Sequence, residues 1–231
     1  MIEIGRRKVN TTKTEIIQAA TRMFLENGYS STTFRMLADE LDISAGHVAF
    51  YFSSKDALLA ELVGILCKFQ WEMMKDEADD GISALLAVCL ELAVMAAVCE
   101  EDAVAKEFFI SSYRSDICLE LIQKNDTERA KEVFAEFCPD WSDAQFEAAE
   151  TIVSGIEYST LNSSGKSDLF EERITAALNT IMSIYNVPEE TRRVKLEKVF
   201  AMDFRAIGNR IFKEFKDYVE LTNEQAFEKL I

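Results

Sequence analysis

The chain has 231 residues and a formal net charge of −16, and 48% of its residues are hydrophobic. This is enough apolar material for one large domain, or for a small domain beside a larger one. Because the chain holds only two prolines and eight glycines, its composition disfavours a β-rich fold and favours long helices. No apolar run reaches the roughly 20 residues that a membrane-spanning helix needs, so we expect no membrane partner.

The N-terminus and the cysteines indicate the compartment. The first eight residues, Met-Ile-Glu-Ile-Gly-Arg-Arg-Lys, have no apolar stretch after their basic cluster, so no secretory signal is expected. The five cysteines are an odd number, include no Cys-x-x-Cys pair and have apolar neighbours. They are predicted to be reduced core residues of a cytoplasmic protein.

The negative charge is concentrated in the middle of the chain. Residues 1–58 contain seven basic and seven acidic side chains, and residues 188–231 contain nine of each. Residues 59–187 contain nine basic and 25 acidic side chains, which accounts for the whole net charge. A uniformly acidic chain would be repelled by nucleic acid. Here only the middle of the chain would be repelled by nucleic-acid phosphates. That repulsion would help to keep the neutral N-terminal end turned toward them.

The first predicted helix covers residues 12–27. Thr12 and Glu15 match a capping box at its start, and apolar residues follow at helical spacing. Gly28, directly after Asn27, suits the left-handed position that ends many helices.

Two short helices are predicted next, over residues 34–41 and 45–51. Thr33 and Ser44 are suitable N-caps, and Asp42 lies in the turn, where a positive φ is often required. Two short helices joined by a tight turn are typical of a helix-turn-helix, whose second helix enters the DNA major groove.

The rest of the chain shows helical periodicity and no β alternation. Further helices are predicted near residues 55–78, 82–99, 102–113, 116–137, 142–163, 168–186, 189–219 and 222–230. We therefore predict an all-α protein.

A family pattern extends through residues 12–58. Its members are Ile16, Ala19, Ala20, Phe24, Gly28, Tyr29, Thr32, Thr33, Leu37, Ala38, Leu41, Ile43, Ser44, Gly46, Val48, Tyr51, Phe52, Ser54, Lys55, Asp56, Ala57 and Leu58. In order and spacing this segment resembles the N-terminal domain of the TetR family of bacterial transcriptional regulators. Beyond residue 60 only the general plan is similar, with a long connecting helix followed by a helical domain.

The resemblance implies a three-part organisation. Residues 1–58 would be the helix-turn-helix DNA-binding domain, and residues 59–187 a helical ligand-binding and dimerisation domain. Residues 188–231 would be a C-terminal helical extension packed on the second domain. The implied function is that of a homodimeric repressor, which a small and mostly apolar effector releases from an inverted-repeat operator in double-stranded DNA.

Eight residues are predicted to contact DNA: Thr33, Arg35, Ser44, Ala45, His47, Phe50, Tyr51 and Lys55. His47 is able to hydrogen-bond base edges, whereas Ala45 and Phe50 offer only apolar contacts to thymine methyls or sugars. Recognition is therefore expected to depend partly on DNA shape. The alternatives are a solvated His47 and a Phe50 that packs under the fourth helix.

The remaining DNA contacts are expected at phosphates. Thr33 begins a helix whose free N–H groups suit an anion. Lys55 also begins a helix, and the resemblance implies that it contacts a phosphate. Tyr51 would add a hydroxyl and Arg35 a guanidinium; a core aromatic and a plain surface arginine are the alternatives.

An effector cavity is expected inside residues 60–165. Its apolar, aromatic and acidic candidates are Phe69, Met73, Glu91, Met95, Phe109, Tyr113, Trp141 and Tyr158. Glu91 interrupts a long apolar run, and a carboxylate there needs a partner. Arg114, Lys106 or a cationic ligand would supply one, unless that face of the helix reaches solvent.

Two apolar stripes are the predicted dimer elements, in residues 142–163 and 168–186. They contain Phe146, Ala149, Val153, Ile156, Ile174, Leu178 and Ile181. Two such helices from each subunit would form a four-helix interface. The alternative is that both stripes face the core of their own subunit.

Two other classes of protein compete with a regulator. One is a helical adaptor that uses residues 30–58 to bind protein, and the other is a carboxylate-based enzyme. His47 is the only histidine, which argues against histidine-based triads and multi-histidine metal sites. No phosphate-cradling glycine loop is present. We therefore predict a non-enzyme without metal or cofactor.

Overall fold

The computed structural model describes residues 2–79, 83–165 and 169–221, with side chains described from residue 13 to 73 and from residue 83 onward. This part of the chain is helical and contains no strand, which confirms the all-α prediction. Its helices are α1 (Ile2–Glu26), α2 (Phe34–Glu40), α3 (Ala45–Tyr51), α4 (Lys55–Asp79), α5 (Ala84–Glu101), α6 (Ala103–Arg114), α7 (Asp116–Val133), α8 (Asp143–Ser163), α9 (Phe170–Ile184), α10 (Glu189–Ala201) and α11 (Phe204–Leu221).

The helix-turn-helix forms as its sequence predicts. Thr33 and Ser44 are N-caps whose side chains accept hydrogen bonds from backbone N–H groups, and Asp42 takes a positive φ of 52° in the turn. The prediction that α1 begins at Thr12 is wrong, because the helix already runs from Ile2. No proline precedes Thr12, so the capping-box pattern lies within a longer helix.

The body is built around α5, which is apolar on nearly every face. Its buried residues recur on all sides of the helix rather than along one stripe, as expected of a fully enclosed helix. It packs against α4, α6, α8, α9, α10 and α11. Among the described residues, no helix is both long and apolar enough to cross a bilayer.

The predicted helix over residues 189–219 is divided into α10 and α11. Met202 has extended backbone angles, φ −91° and ψ 149°, and Asp203 Oδ1 accepts a hydrogen bond from the Ala206 N–H at 3.0 Å. An aspartate in this position caps a new helix rather than continuing the old one. The helix predicted over residues 222–230 lies outside the described residues.

The last described helix, α11, connects the body to the N-terminal domain. Gly208 lies directly on α5, where a Cβ would be 3.1 Å from Val94 Cγ1 and from Val98 Cγ2. Farther along, the Gln18 amide of α1 donates to the Val219 and Glu220 carbonyl oxygens, both at 3.2 Å. The C-terminal extension therefore contacts the first helix as well as the second domain.

We expect Gly208→Val to destabilise the protein by about 1–3 kcal/mol, because overpacking forces neighbouring groups to move. One of the obstructing atoms is the Val94 carbonyl oxygen, at 3.2 Å from the added Cβ, and backbone has little freedom to shift. The measurement is urea unfolding. Ala206→Val, on the exposed face of the same helix, is the control and should cost less than about 1 kcal/mol. Equal losses would contradict the packing argument.

Candidate DNA-binding surface and effector cavity

The outer face of α3 is exposed and is held in place by one buried residue. Val48 is fully buried, whereas Ala45, His47 and Phe50 are exposed. Phe50 is 77% exposed, so the alternative that it packs under α4 is wrong. The helix thus presents a small apolar and aromatic surface with a single ionisable group, His47.

Tyr51 supports the two exposed rings. Its ring centroid lies 5.5 Å from that of His47 and 5.3 Å from that of Phe50, with the Phe50 ring edge-on. Tyr51 is half-buried. It therefore fixes the orientation of its neighbours while keeping part of its surface in solvent.

The helix caps and Arg35 surround this face. Thr33 Oγ1 accepts from the Met36 N–H at 3.3 Å, and Ser44 Oγ accepts from the His47 N–H at 3.1 Å. Both cap side chains are exposed, as is Arg35. Six of the eight predicted DNA-contacting residues are thus exposed, and the other two, Tyr51 and Lys55, are half-buried.

Lys55 has a local role that sequence reasoning missed. Its Nζ donates to the Tyr29 and Thr32 carbonyl oxygens at 2.9 and 3.0 Å, and it lies 4.2 Å from the centroid of the Tyr29 ring. The Tyr29 hydroxyl in turn bonds to Asp56. An ammonium has three donors, so this clamp on the α1–α2 loop leaves one donor for a phosphate.

A carboxylate from the body binds the same loop. Glu107 of α6 accepts a hydrogen bond from the Ser30 N–H at 2.8 Å. Gly28 has φ +92°, and a Cβ there would overlap Glu107 Oε2. Gly28 is therefore needed for two reasons: its backbone is left-handed, and a side chain there would prevent α6 from approaching the loop. This connection joins the cavity-bearing body to the DNA-binding domain.

Two neighbouring cavities lie inside the body, with volumes of about 30 and 50 Å³. They share five lining residues, which are Val88, Leu92, Asp126, Arg129 and Glu157. The walls come from α4 to α9 and are mostly apolar. A few converging polar groups in an apolar cavity are features of a small-molecule site, but volumes of about 30 and 50 Å³ are well below the roughly 300–1,000 Å³ of an open ligand site.

The structure brings together half of the predicted effector residues. Glu91, Met95, Phe109 and Tyr113 line the larger of the two cavities. Phe69, Met73, Trp141 and Tyr158 line neither of them. Phe69 packs on Phe215 and Tyr218, and Trp141 packs on Phe146 and Tyr185, so these aromatic rings belong to the core.

Glu91 is buried, and its partner is Arg129 rather than either predicted cation. Arg129 Nη1 is 3.0 Å from Glu91 Oε2, and Nη2 is 2.8 Å from Asp126 Oδ1. The guanidinium also lies 4.8 Å from the Trp71 ring centroid. Arg114 and Lys106 are directed elsewhere, to the Tyr158 hydroxyl and the Ser164 carbonyl.

Two further carboxyl groups of α8 face the cavities, and sequence reasoning missed both. Glu157 accepts from the Tyr113 hydroxyl at 2.9 Å, and Glu150 accepts from the Tyr185 hydroxyl. Positions 150 and 157 are two turns apart, on the inward face that also carries Val153. An acidic residue repeated within an apolar stripe was the signal that would have identified them.

Burial changes the acidity of these groups. Loss of solvation raises the pKa of Glu150 to about 7 and that of Asp126 to about 6. The same effect, strengthened by the charges of Asp126 and Glu150, raises the pKa of Glu157 well above its usual value. These buried carboxyl groups therefore keep their protons to a higher pH than exposed carboxyl groups do.

The predicted dimer stripes face inward. Phe146, Ala149, Val153, Ile174, Leu178 and Ile181 are each at least 94% buried within the single chain, and Ile156 is half-buried. The prediction that the six buried residues form the dimer interface is wrong, because α5 and the neighbouring helices already cover them. The other faces of α8 and α9 are exposed and carry mainly small and polar residues, with Ile152 58% exposed.

Residues 16–62 match the family model described as bacterial regulatory proteins of the tetR family. This stretch covers the later part of α1, all of α2 and α3, and the start of α4. It therefore contains the helix-turn-helix, the Lys55 clamp and every predicted DNA-contacting residue.

Two curated relatives are similar to part of the chain. The HTH-type transcriptional repressor KstR2 of Mycobacterium tuberculosis (strain ATCC 25618 / H37Rv) is 30% identical over 78 residues, which are 34% of this chain and 39% of that protein. The HTH-type transcriptional regulator HbdR of Aromatoleum sp. (strain CIB) is 44% identical over 45 residues, 20% of each. The matched segment thus spans less than two-fifths of either relative.

Among solved structures, full-length native tylp, described as a tetR regulator from Streptomyces fradiae, covers 95% of this chain and 94% of its own length. The TM-score is 0.48 and the sequence identity is 16%.

The raised pKa of Glu150 predicts a stability that falls as the pH rises. Between the unfolded value of 4.5 and the folded value of about 7, the folded state binds more protons than the unfolded state, so the free energy of unfolding decreases with pH. With Glu150→Gln, the fall in the free energy of unfolding over this pH range should be smaller by about 3 kcal/mol. We would measure urea unfolding from pH 5 to pH 8, with the exposed Glu147→Gln as control. A constant difference between Glu150→Gln and the wild type across that range would contradict the prediction.

Proposed function

We propose that this chain, whose residues 16–62 form a DNA-binding domain of the TetR family of bacterial regulatory proteins, is a transcriptional repressor that a small-molecule effector releases from DNA. The observation that carries the proposal is the exposed outer face of α3, which lies within the matched segment. An aromatic and apolar face that remains in solvent on a short, firmly capped helix is suited to a groove of DNA.

In the proposed complex the contacts are divided between bases and phosphates. His47 and Phe50 would meet base edges, and Ala45 would approach a thymine methyl. Thr33, Arg35, Ser44, Tyr51 and Lys55 are proposed to contact the backbone. Phosphate contacts fix position while base contacts provide specificity.

The effector site is proposed to be the pair of cavities in the body. Two helices connect these cavities to the DNA-binding domain. α6 carries Phe109 and Tyr113 at the cavity and Glu107 at the α1–α2 loop. α4 carries Val63 and Leu66 at the cavity and Lys55 at the same loop. An effector that shifts either helix would reposition α3, and a coupling of about 1–3 kcal/mol is sufficient for regulation.

The homodimer is proposed to form through the exposed faces of α8 and α9. On α8 this face contains Ala148, Ile152 and Gly155, and on α9 it contains Ala176 and Thr180. An added Cβ at Gly155 would meet nothing within 4 Å, so a partner helix is able to approach closely. A two-fold dimer would bind two half-sites related by an inverted repeat.

We expect His47→Ala to change which operator sequences are preferred, at a cost of about 1–3 kcal/mol at the affected position. Arg35→Ala should weaken binding to all sequences alike. It should also lower the slope of log affinity against log salt concentration by about 1, as expected for the loss of one phosphate contact. The measurements are a randomised-operator selection and a salt titration of affinity. An unchanged preferred sequence with His47→Ala would leave Phe50 and DNA shape as the source of specificity.

We expect Ile152→Glu to convert the dimer to monomers, because it places a charge in the middle of the proposed interface. Ile117→Glu is the matched control, since Ile117 is 49% exposed on α7 and lies outside that interface. Sedimentation at micromolar concentration measures the result. A dimer that persists in Ile152→Glu, or a monomeric wild type, would refute the assignment of this face.

A further inference from the structure

The cavities contain more acidic groups than basic ones. Four carboxyl groups line them, from Glu91, Asp126, Glu150 and Glu157, against a single guanidinium from Arg129. Within the described residues, Arg129 forms ion pairs with Glu91 and Asp126. Glu150 and Glu157 form no ion pair there, and their hydrogen bonds come from tyrosine hydroxyls.

Glu91 is also incompletely satisfied. It is only 8% exposed and lines the larger cavity. Its Oε2 lies 3.0 Å from Arg129 Nη1 as an ion pair, but no group in the described part of the chain makes a hydrogen bond to this buried oxygen. A buried carboxylate oxygen without a hydrogen bond is costly, and a donor on a bound molecule would relieve that cost.

The surroundings of the carboxyl groups are apolar on both sides. Leu85, Leu178 and Met182 line the smaller cavity, and Leu66 and Met95 line the larger one. Glu157 and Asp126 lie on the wall that the two cavities share. A molecule that reaches both cavities would therefore place its polar part at the shared wall and its apolar part to either side. Because the cavities are about 30 and 50 Å³ and a cavity that binds benzene is about 150 Å³, the apolar walls would have to move apart to admit it.

We propose that the site binds an organic cation with an apolar tail, of the class of protonated alkylamines, with its ammonium head at Glu157 and the neighbouring carboxyl groups. This inference rests on the proposed function for the location of the site and adds the class of ligand. An ammonium supplies the positive charge that Glu150 and Glu157 lack, and an N–H donor for Glu91 Oε2. An anionic ligand would meet four acidic groups and one guanidinium whose two Nη atoms are already paired, with only its Nε left without an acceptor among the described residues.

Binding of a cation would be linked to proton release. Near neutral pH burial favours the protonated form of the α8 carboxyl groups. When the ammonium enters, a carboxyl O–H of Glu157 or Glu150 breaks, the proton passes to solvent and the carboxylate accepts an N–H bond. The other titratable and charged groups facing this site are Cys67 on α4, Cys89 and Glu91 on α5, Tyr113 on α6, Asp126 and Arg129 on α7, and Tyr185 after α9.

The test compares three probes that differ only in the head group: n-hexylamine, 1-hexanol and hexanoate. Each is titrated calorimetrically into the full-length protein at pH 7 in phosphate and in HEPES, whose ionisation enthalpies differ. We expect n-hexylamine to bind most tightly and to release protons, and its affinity to rise between pH 6 and pH 8. A neutral alcohol should bind without proton release.

Variants identify the carboxyl groups. Glu157→Gln keeps an acceptor for the Tyr113 hydroxyl. It should weaken the binding of n-hexylamine by about tenfold or more, while the affinity for 1-hexanol should change little. Glu147→Gln, exposed on the same helix, should change neither affinity. If Glu157→Gln does not fold, Glu150→Gln provides the same comparison.

The outcomes separate this inference from the proposed function. If 1-hexanol or hexanoate binds as tightly as n-hexylamine, if the amine binds without proton release, or if none of the three binds at millimolar concentration, the cationic class is wrong. If n-hexylamine binds with proton release but leaves the affinity for operator DNA unchanged, the cation site stands and the proposed effector coupling fails.

Discussion

The ion pair between Glu91 and Arg129 is the interaction on which the body depends. α5 is enclosed on nearly every side, and Glu91 lies in the middle of it. Removal of one partner from a buried pair leaves an uncompensated charge, at a cost of several kcal/mol. The pair therefore links α7 to the enclosed helix, although α7 itself packs mainly on α4 and α8. With α7 in that position, Asp126 comes to the wall that α8 also lines, and the cavities acquire their acidic character.

Two helices contact both the α1–α2 loop and the larger cavity. α4 contacts the α1–α2 loop through its first residue, Lys55, and lines the larger cavity through Val63 and Leu66. α6 contacts the same loop through Glu107 and lines that cavity through Phe109 and Tyr113. Lys55 and Glu107 hold that loop with opposite charges, through carbonyl oxygens on one side and an N–H group on the other. Because the loop is bound to both α4 and α6, a small shift of either helix would move the loop as well, since closely packed groups transmit strain.

The sequence predicted the N-terminal domain well because its signals are local. Caps at Thr33 and Ser44, the positive φ at Asp42 and the buried Val48 are properties of a few neighbouring residues. The division between α10 and α11 was less visible, since it depends on one extended residue and an aspartate that caps. Helix periodicity alone did not reveal it.

The body was harder to predict because its decisive contacts are between distant residues. Glu91 indicated a buried carboxylate, but nothing in the sequence selected Arg129 over Arg114 or Lys106. The apolar stripes of α8 and α9 were predicted to form the dimer interface, whereas the structure buries them in the core of their own subunit. Only packing decides whether a second chain or the same chain covers such a stripe. Glu150 and Glu157 were not identified, although their spacing placed them on the same face as Val153.

The contact between α11 and α1 has a consequence for how the molecule is made. The hydrogen bond from Gln18 to the Val219 carbonyl joins residues 201 positions apart, and Arg22 forms an ion pair with Glu220 at 2.7 Å. During synthesis α1 is therefore made about 200 residues before its partner helix. Such non-local contacts also form late in folding. The N-terminal domain therefore gains these contacts only after α11 has been made, so a product that stops before α11 lacks them.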